Sequence, residues 1–340
     1  MSAVNLKQIA EQAGVSLATA SRVLSGSDYP VKEELRQRVL KIAADLDYVP
    51  NANARGLLRG RSSTVGVLVG DVSDPFFSGM VGGIHEIAGK AGYMVTVVNT
   101  FREPSGELDT LRRLRAQRVD VLIVAGSGLD DEIYTAGMEK SLGAFIRGGK
   151  AAVLIGHHET SDDFGACRVF FDNRAAAREV AEHLHGLGHR RIALITGDPR
   201  LLSTRDRVLG FSDVFGDGVT IIETEPTRDG GYAATGTILI DHPEVTAISA
   251  TADQMAFGAL VQLRESGLSV PADMSVAGFN DIDISKDLVP ALTSAHVPLH
   301  QLGSSAMELG LAALEGEVRS IEIEPELAVR ESTGPAPTRG

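Results

Sequence analysis

Two histidine pairs and one serine are the residues whose types could support metal binding or nucleophilic catalysis. His157 and His158 are adjacent, and adjacent side chains on a strand or turn point apart. His183 and His185 lie two positions apart on a predicted helix and therefore do not face each other. Ser203, in LLSTRDR, lacks the strained GxSxG turn of an esterase. We therefore predict no metal site and no catalytic set, and an enzyme remains an unsupported alternative.

Cofactor binding has no motif in this sequence either. It contains neither a GxGxxG dinucleotide loop nor a Walker A run. The single Cys167 excludes an internal disulfide and a multi-cysteine metal site. We expect no cofactor.

The stretch LKQIAEQAGVSLATASR, residues 6–22, has the pattern of a helix-turn-helix that reads DNA bases. Its apolar residues recur at helical spacing up to Ala13, Gly14 suits a tight turn, and Ser16 is a good N-cap for a second helix. In the second helix Ala20, Val23 and Leu24 point inward. The opposite side carries Leu17, Ala18, Ser21 and Arg22. A short helix with small and polar outward residues fits the DNA major groove. The alternative is a small helical hairpin that only packs.

Charge is distributed unevenly along the chain, whose formal net charge is −13. Residues 1–61 contain nine Lys or Arg and six Asp or Glu, so this part carries +3 and the remainder −16. A basic head on an acidic body attracts phosphates at one end and repels DNA elsewhere. The division supports DNA binding modestly.

A third helix and a linker complete the head. Leu35, Val39, Ile42, Ala43 and Leu46 form one apolar stripe, so three short helices can share a small core. The segment YVPNANARGLL, residues 48–58, offers only about two helical turns, which are marginal in water. Beside basic Arg55 and Arg59, Leu57 could wedge into a minor groove. An ordinary interdomain linker is the alternative.

From Thr64 onward, apolar strands alternate with helices. We predict strands at Val65–Val69, Met94–Val98, Val119–Val124, Ala152–Ile155, Arg168–Phe171, Arg191–Ile195, Thr220–Ile222, Ala247–Ala250 and Ser275–Ala277. The predicted helices between them include Phe76–Ala91, Leu108–Gln117, Ala175–Leu187, Thr204–Phe215, Gly231–Ile240, Gln254–Ser266 and Pro298–Leu314. This alternation predicts parallel sheets covered on both faces, in two doubly wound α/β lobes. Ligands bind at the carboxyl ends of such strands, so the cleft between the lobes is the expected binding site.

No apolar run approaches the roughly 18 residues of a membrane span, and residues 1–10 lack a signal-peptide core. We therefore expect a cytoplasmic protein.

Taken together, these motifs resemble the LacI/GalR family of bacterial transcription regulators nearly from end to end. The head resembles the family in IAEQAGVSLATASRVLSG and YVPNANARGLL. The body resembles it in VGVLVGDVSDPFFSGMVGGIHEIAGKAGY, DNRAAAREVAEHLHGLGHRRIALITG, TRDRVLGF, TADQMAFGAL and VAGFNDIDISKDLVPALTSAHVPLHQLGSSAMELG. Each motif is weak alone, but their order is specific.

For the head, the resemblance implies which residues contact DNA. Leu17 and Ala18 occupy positions that read bases in the major groove, and Arg22, one turn later, is the expected guanine reader. The remaining base-edge or phosphate positions are Asn5, Leu6, Lys7, Ser16, Thr19 and Ser21. In the hinge helix, Asn51 and Ala54 lie near the minor groove, and Leu57 occupies the place of the leucine that wedges between central base pairs. Lys32 replaces the usual Ser cap, which puts the start of the third helix in doubt.

For the body, the resemblance implies a periplasmic-binding-protein-like effector domain. Arg207 would grip the effector, and its guanidinium suits a carboxylate, a phosphate or sugar hydroxyls; a salt bridge across the lobes is the alternative. The other expected effector contacts are Asp71, Asp74, Phe76, Phe77, His157, Tyr232, Asp253 and Asn280. Three positions depart from the family: Gly156 replaces a common acidic residue, Ala252 a common Asn, and Asn280 a common Asp. These losses weaken the expectation of a neutral sugar.

The expected domain organisation follows the same resemblance. A helix-turn-helix domain spans residues 1–49 and a hinge residues 50–61. Residues 62–330 form the effector-binding and dimerisation domain, with one lobe at about 62–165 and 295–320 and the other at about 166–292 and 321–330. A flexible tail, 331–340, lacks heptads, so we expect no coiled-coil tetramer. We expect a homodimeric, ligand-linked repressor on palindromic operator DNA, with Phe76–Ala91 in the dimer interface. The alternatives are a metabolite-binding module whose head binds a protein, or an enzyme.

Overall fold

The computed structural model describes residues 5–24, 29–48, 62–161 and 164–338. The chain divides into two compact units, a head of residues 1–63 and a body of residues 64–340. Within the described ranges, no helix is long and apolar enough to cross a membrane.

Among its described residues, the head contains three helices around one small core. They are α1 (Leu6–Ala13), α2 (Leu17–Leu24) and α3 (Glu33–Asp45). The buried apolar residues of this core are Ile9, Ala10, Ala13, Ala20, Val23, Val39 and Ala43. Of the three inward residues predicted for α2, Ala20 and Val23 are buried, and Leu24 is half-buried against the same core.

Local hydrogen bonds fix the start of α1 and α2. Asn5 and Gln8 form a capping box, in which each side chain accepts from the other residue's backbone N–H at 3.0 Å. Gly14 ends α1 with φ +64°, a conformation that glycine adopts without strain. Ser16 Oγ accepts from the Thr19 amide at 3.1 Å, as expected of an N-cap. The predicted turn between the two helices is therefore confirmed.

The third helix forms although Lys32 provides no side-chain cap. It begins at Glu33, and its first turn contains Glu33 and Glu34. Acidic side chains there interact favourably with the helix dipole. Glu33 also accepts a hydrogen bond from Gln37 at 2.7 Å, one turn later. These contacts stabilise the helix start that the substitution at 32 had put in doubt.

The body contains twelve strands among the described residues. They are β1 (Thr64–Val69), β2 (Met94–Asn99), β3 (Val121–Ala125), β4 (Ala151–Ile155), β5 (Cys167–Phe170), β6 (Ile192–Thr196), β7 (Val219–Glu223), β8 (Ala247–Ala250), β9 (Ser275–Asn280), β10 (Thr293–His296), β11 (Ser320–Glu322) and β12 (Glu326–Ala328).

Eight helices of the described body cover these strands. They are α4 (Pro75–Lys90), α5 (Pro104–Ala116), α6 (Glu132–Ile146), α7 (Asn173–Gly186), α8 (Leu202–Phe215), α9 (Arg228–Asp241), α10 (Asp253–Glu265) and α11 (Leu299–Leu314). Short 3₁₀ turns lie at Gly216–Gly218 and Asp283–Lys286.

The strands form two six-stranded sheets, one in each lobe. The first has the order β11-β5-β4-β3-β1-β2 and is parallel throughout. The second has the order β12-β10-β9-β8-β6-β7 and is parallel except for the β10–β12 pair. In both sheets the order reverses beside the first strand of the lobe, and a ligand crevice is expected at such a point.

The predicted lobe boundaries need correction. We placed residues 166–170 in the second lobe, but β5 pairs with β4 in the first sheet, with Val153 opposite Cys167. We placed residues 295 and 296 in the first lobe, but β10 pairs with β9 in the second sheet. The chain therefore first crosses between the lobes after β5. Strand length alone could not indicate which sheet each strand joins, because that depends on long-range pairing.

The C-terminal segment is not the flexible tail that we predicted, as far as residue 338. Ser332 is buried; its Oγ donates to the Val276 carbonyl at 2.6 Å and accepts from the Thr293 amide at 2.8 Å. Further along, the Ala336 amide donates to the Leu187 carbonyl at 2.9 Å. Hydrogen bonds to the second lobe thus anchor a segment whose Pro and Gly content had suggested mobility.

Helices α4 and α11 pack closely enough to hold the start of α4 at the cleft. A Cβ atom at Gly83 would lie 2.0 Å from the His300 carbonyl oxygen, and one at Gly303 would lie 1.9 Å from that of Met80. Only glycine permits this approach. The contact positions Asp74, the N-cap of α4.

Candidate functional site

The outward face of α2 has the exposure required of a DNA-contacting surface. Leu17 is 52% exposed, and Ser16 and Ala18 are also exposed. Arg22 is exposed as well, and its guanidinium carbon lies 4.0 Å above the centre of the Tyr29 ring. Such a cation–π contact restrains a long side chain at the surface. The structure thus brings Leu17, Ala18 and Arg22 onto one accessible helix, as their spacing predicted.

The other predicted DNA contacts surround this helix or lie outside the described residues. Thr19 and Ser21 are half-buried on α2, and Ser16 Oγ lies 2.8 Å from Thr19 Oγ1. At the start of α1, Asn5 caps the helix, Leu6 is half-buried, and Lys7 lies 3.9 Å from Glu11. The hinge residues Asn51, Ala54 and Leu57 lie outside the described residues.

A cleft opens between the two lobes at the carboxyl ends of their strands. It encloses about 1080 Å³, counting the open space at its mouth, enough for a small metabolite. Both lobes contribute aromatic and polar side chains to it: Asp74, Phe76, Phe77, Arg102, Glu107, Ser127, Phe171, Asn173, Ser203, Thr204, Arg207, Gln254 and Asn280. Five of the nine predicted effector contacts line this cleft, namely Asp74, Phe76, Phe77, Arg207 and Asn280.

The N-terminus of α4 forms part of the first-lobe wall. Asp74 caps the helix by accepting from the Phe76 amide at 3.0 Å, and it also accepts from Gln254 Nε2 at 3.3 Å. Because Gln254 lies in the first turn of α10 in the other lobe, this bond joins the two walls. Burial raises the pKa of Asp74, against the lowering effects of the Phe76 amide and the Arg102 charge. Phe76 and Phe77 pack edge to face beside it, with ring centroids 5.0 Å apart.

Arg102 and Glu107 are cleft residues that the sequence analysis missed. Arg102 follows the carboxyl end of β2, and its guanidinium lies 5.6 Å from the centre of the Phe77 ring. Glu107 accepts from Tyr134 Oη at 2.7 Å, and burial raises the pKa of its carboxyl group. The position of Arg102 just after a parallel strand was the available signal, because such positions face the ligand crevice.

Arg207 is the main cation of the second-lobe wall. It is only 8% exposed; its Nε donates to Asn173 Oδ1 at 2.9 Å and its Nη1 to the Thr251 carbonyl at 2.5 Å. Its guanidinium carbon lies 3.7 Å above the centre of the Phe279 ring. Burial lowers the pKa of Arg207 to about 9, and the Arg102 charge acts in the same direction. The residue therefore remains a cation at neutral pH. Within the described residues it has no carboxylate partner at ion-pair distance, so the alternative of a salt bridge across the lobes is not what forms.

Four predicted effector contacts are not part of the cleft lining. Asp71 lies in the loop before α4 and accepts from the Ser73 amide at 2.9 Å. Tyr232 donates from Oη to Glu265 at 2.7 Å. Asp253 is buried beneath the wall, where it accepts from Ser294 Oγ at 2.6 Å and the Ile282 amide at 2.8 Å; burial raises its pKa to about 7. Asp253 thus supports the cleft wall from behind.

The fourth, His157, links the lobes instead. Its Nδ1 lies 2.6 Å from Asp206 Oδ2, and this hydrogen bond raises the pKa of the imidazole. The neighbouring His158 is buried and donates from Nε2 to the Gly126 carbonyl at 2.8 Å. Burial lowers the pKa of His158 to about 4. The two histidines therefore have separate partners, as their adjacency predicted.

The three family departures all occur at the cleft. Gly156 has φ +98°, and a Cβ atom there would lie 3.1 Å from the Gly126 carbonyl carbon, so a larger side chain would be strained and crowded. Ala252 presents only a methyl group to the lining. Asn280 has φ +103°, and its buried Oδ1 has no hydrogen-bond partner among the described residues.

Further contacts between the lobes lie beside the cleft. Ser127 Oγ donates to Ser203 Oγ at 2.9 Å, and the Leu202 amide donates to the Gly128 carbonyl at 3.0 Å. Arg205 Nη2 reaches Glu159 at 2.6 Å. These bonds connect the loops after β3 and β4 to the start of α8, so the lobes are joined beside the cleft.

A helix-turn-helix head on a two-lobed body with a polar cleft defines a class of protein: a DNA-binding regulator that carries its own ligand sensor. Comparison with known families supports this class. Residues 5–51 match the family "Bacterial regulatory proteins, lacI family", and residues 181–333 match "Periplasmic binding protein-like domain".

Relatives match along nearly the whole chain. The HTH-type transcriptional regulator GalR of Escherichia coli (strain K12) is 31% identical over 313 residues, which cover 90% of this chain and 88% of that protein. The HTH-type transcriptional repressor CytR of the same strain is 30% identical over 344 residues, 98% of each chain. The chain therefore belongs to the lacI family, and it is a ligand-responsive transcriptional regulator, as the sequence resemblance predicted.

Solved structures agree with this assignment. The lac repressor dimer bound to operator and the anti-inducer ONPF has a TM-score of 0.83 and 27% identity, over 98% of this chain and 100% of that chain. The transcriptional regulator CelR in complex with cellobiose has a TM-score of 0.69 and 28% identity, over 97% and 99% of the two chains.

Proposed function

We propose that this protein is a repressor that binds a roughly palindromic operator as a homodimer and changes its operator affinity when a small metabolite binds in the interlobe cleft. One observation carries the proposal: charged and polar side chains from both lobes converge on one open cleft, in a chain whose head exposes a recognition helix. The protein acts at the nucleoid in the cytoplasm, without a catalytic step or a cofactor.

The exposed face of α2 supports major-groove recognition. Leu17 and Ala18 cannot form hydrogen bonds through their side chains, so they select bases by apolar contact, for example with a thymine methyl group. Arg22 has the donor geometry for the O6 and N7 atoms of guanine. Basic residues nearby contact phosphates, which makes the affinity strongly salt-dependent.

Two uncovered sheet edges support a dimer. β2 and β7 end their sheets, and each carries an exposed apolar residue, Met94 at 73% and Ile221 at 47%. A second copy that covers both edges, together with α4, would remove this surface from water. The lac repressor, a relative in structure, is described as a dimer on its operator. Two heads then meet two half-sites of a palindrome.

Ligand binding is transmitted by the angle between the lobes. A metabolite that contacts both walls favours one angle, which sets the spacing of the two hinge segments at residues 50–61. Those segments form short helices against DNA and each other, with Leu57 as the wedge and Asn51 and Ala54 beside it. The candidate effectors are a sugar, a sugar acid, a sugar phosphate or a similar metabolite; the relative CelR is described in complex with cellobiose.

Selection of operator sequences tests this proposal. Full-length protein is incubated with a random duplex library, and bound duplexes are sequenced. We expect enrichment of inverted repeats, with affinity that falls steeply as salt rises. Enrichment of no sequence would contradict the proposal and favour a head that binds a protein, whereas turnover of a cleft ligand would favour an enzyme.

A matched pair of variants tests whether Leu17 contacts the operator. Leu17→Ala should weaken affinity for the selected repeat by about fivefold, or about 1 kcal/mol, because it removes one apolar base contact. Leu40→Ala, on α3 of the same head and 41% exposed, is the control and should leave affinity unchanged. Equal losses in both variants would remove Leu17 from the interface.

A further inference from the structure

We infer that the effector carries an anionic group, a carboxylate or a phosphate, that binds between Arg102 of the first lobe and Arg207 of the second. This inference rests on the proposed function only in taking the cleft as the effector site. It narrows the effector to hydroxylated carboxylic acids or to phosphate esters of hydroxylated compounds such as sugars.

Among the described residues, neither guanidinium has an anionic partner at ion-pair distance. Among the described residues, the side chain of Arg102 makes no hydrogen bond and no ion pair within 4.0 Å; its described contact is with the Phe77 ring at 5.6 Å. Arg207 is bound by two neutral acceptors, on Asn173 and Thr251. Its Nη2 makes no hydrogen bond to a described residue. Two cations thus line one cleft with donors available, and planar donor forks match carboxylate and phosphate oxygens.

The positive charges of Arg102 and Arg207 repel each other across the cleft. They come from different lobes, and the charge of Arg102 lowers the pKa of Arg207. An anion between them converts this repulsion into two attractions, and the attraction is stronger at Arg207, which is only 8% exposed, than it would be in bulk water. Closure of the lobes around an anion is therefore favoured over closure around a neutral ligand.

The carboxyl groups that line the cleft already accept hydrogen bonds from protein donors. Asp74 accepts from Phe76 and Gln254, and Glu107 accepts from Tyr134. The guanidinium of Arg102 lies more than 4.0 Å from both carboxylates. Their negative charges raise its pKa, against the lowering effect of burial. Asp74 and Glu107 therefore hold the arginine at the wall without occupying its donors.

Two pairs of residues at the cleft have left-handed backbone conformations. Phe101 and Arg102 have φ of 51° and 58°, and Asn280 and Asp281 have φ of 103° and 53°. The first pair follows the carboxyl end of β2, and the second lies at the carboxyl end of β9. One residue of each pair, Arg102 and Asn280, lines the cleft. Such left-handed conformations are unfavourable for non-glycine residues and concentrate at ligand sites. The unpartnered Oδ1 of Asn280 accepts a ligand hydroxyl, which adds the hydroxylated part of the effector.

Anion titration of the full-length protein tests the inference without DNA. The midpoint of thermal unfolding, Tm, is followed by circular dichroism while inorganic phosphate is added, against potassium chloride at the same ionic strength. We expect a saturable increase of a few degrees in phosphate and none in chloride, because a bound ligand stabilises by mass action. No difference between the two salts would overturn the inference.

Variants and matched sugars then locate the anion and identify its chemistry. Arg102→Gln should abolish the phosphate-dependent increase in Tm. The control Arg113→Gln removes an exposed arginine on α5 of the same lobe and should retain the increase. D-glucose 6-phosphate and D-gluconate, compared with D-glucose, distinguish phosphate from carboxylate. Stabilisation by D-glucose equal to that by both anions would overturn the inference, and so would a phosphate effect that survives Arg102→Gln. Operator selection is independent of these results, so failure of the anion site and failure of the regulator proposal can be told apart.

Discussion

Arg207 is a buried cation whose position depends on neutral neighbours. Asn173 and the Thr251 carbonyl accept two of its hydrogen bonds, and the Phe279 ring covers one face. Hydrogen bonds and an aromatic face offset part of the desolvation cost, so the guanidinium remains charged at the wall. A residue held this way can give its remaining donors to a ligand.

Substitution of Arg207 tests that role. We predict that Arg207→Ala abolishes the response of operator binding to the effector. It should also lower the free energy of unfolding by about 1–3 kcal/mol, because buried acceptors lose their donor. Operator titrations with and without effector, together with chemical denaturation, measure the two effects. Arg178→Ala, on the exposed surface of α7, is the control. A normal effector response in Arg207→Ala would remove this residue from the site.

At the residue scale, sequence reasoning located the cleft but only part of its lining. Asp74, Phe76, Phe77, Arg207 and Asn280 could be placed because they lie in motifs at strand ends. Arg102 also follows a parallel strand, but its orientation into the cleft depends on two successive left-handed residues, which the sequence pattern does not indicate. The engagement of Tyr232 by Glu265 depends on packing between α9 and α10, which no local pattern records.

At the element scale, local patterns specified where strands and helices lie but not which sheet a strand joins. β8 has the predicted bounds, and β1 begins one residue before its predicted start. By contrast, β10, β11 and β12 were not predicted, because each contains at most two apolar residues and so forms no apolar run. The placement of β5 in the first sheet required knowledge of its partner.

His157, in the loop after β4, and Asp206, on α8, form a hydrogen-bonded pair between the lobes. This pair makes the contact between the lobes pH-dependent. Its hydrogen bond raises the pKa of His157, while Glu159 raises it further and Arg205 lowers it. The charged pair should therefore stabilise the lobe contact fully below about pH 6.5, the unfolded value, and lose this effect as pH rises through the higher folded pKa. NMR titration of the imidazole and thermal unfolding of His157→Gln measure this. A folded pKa at or below 6.5 would contradict it.

The hinge segment is the element with the most direct proposed contact to the centre of the operator. We predict that Leu57→Ala weakens operator affinity while the protein remains folded, because the wedge between central base pairs is lost. Fluorescence anisotropy with a labelled operator measures the affinity, and circular dichroism checks the fold. Leu58→Ala is the neighbouring comparison. Unchanged affinity in Leu57→Ala, or equal losses in both variants, would count against the wedge.

At the scale of the whole molecule, charge and connectivity separate two functions along one chain. The first 61 residues carry +3 and the rest −16, so the chain directs its head rather than its body toward DNA. A few hydrogen bonds beside the cleft, such as that between Ser127 and Ser203, join the two lobes. We propose that a ligand that changes these contacts alters the hinge spacing, and any such coupling must act equally in both directions.

Reciprocal coupling is the most direct test of the central claim that a cleft ligand controls operator binding. The dissociation constant of the selected operator is measured with and without a saturating cleft ligand, and that of the ligand with and without operator. We predict that both change by the same factor, roughly 5- to 150-fold for a coupling of about 1–3 kcal/mol. Operator affinity that is the same at saturating ligand as without ligand would contradict the account.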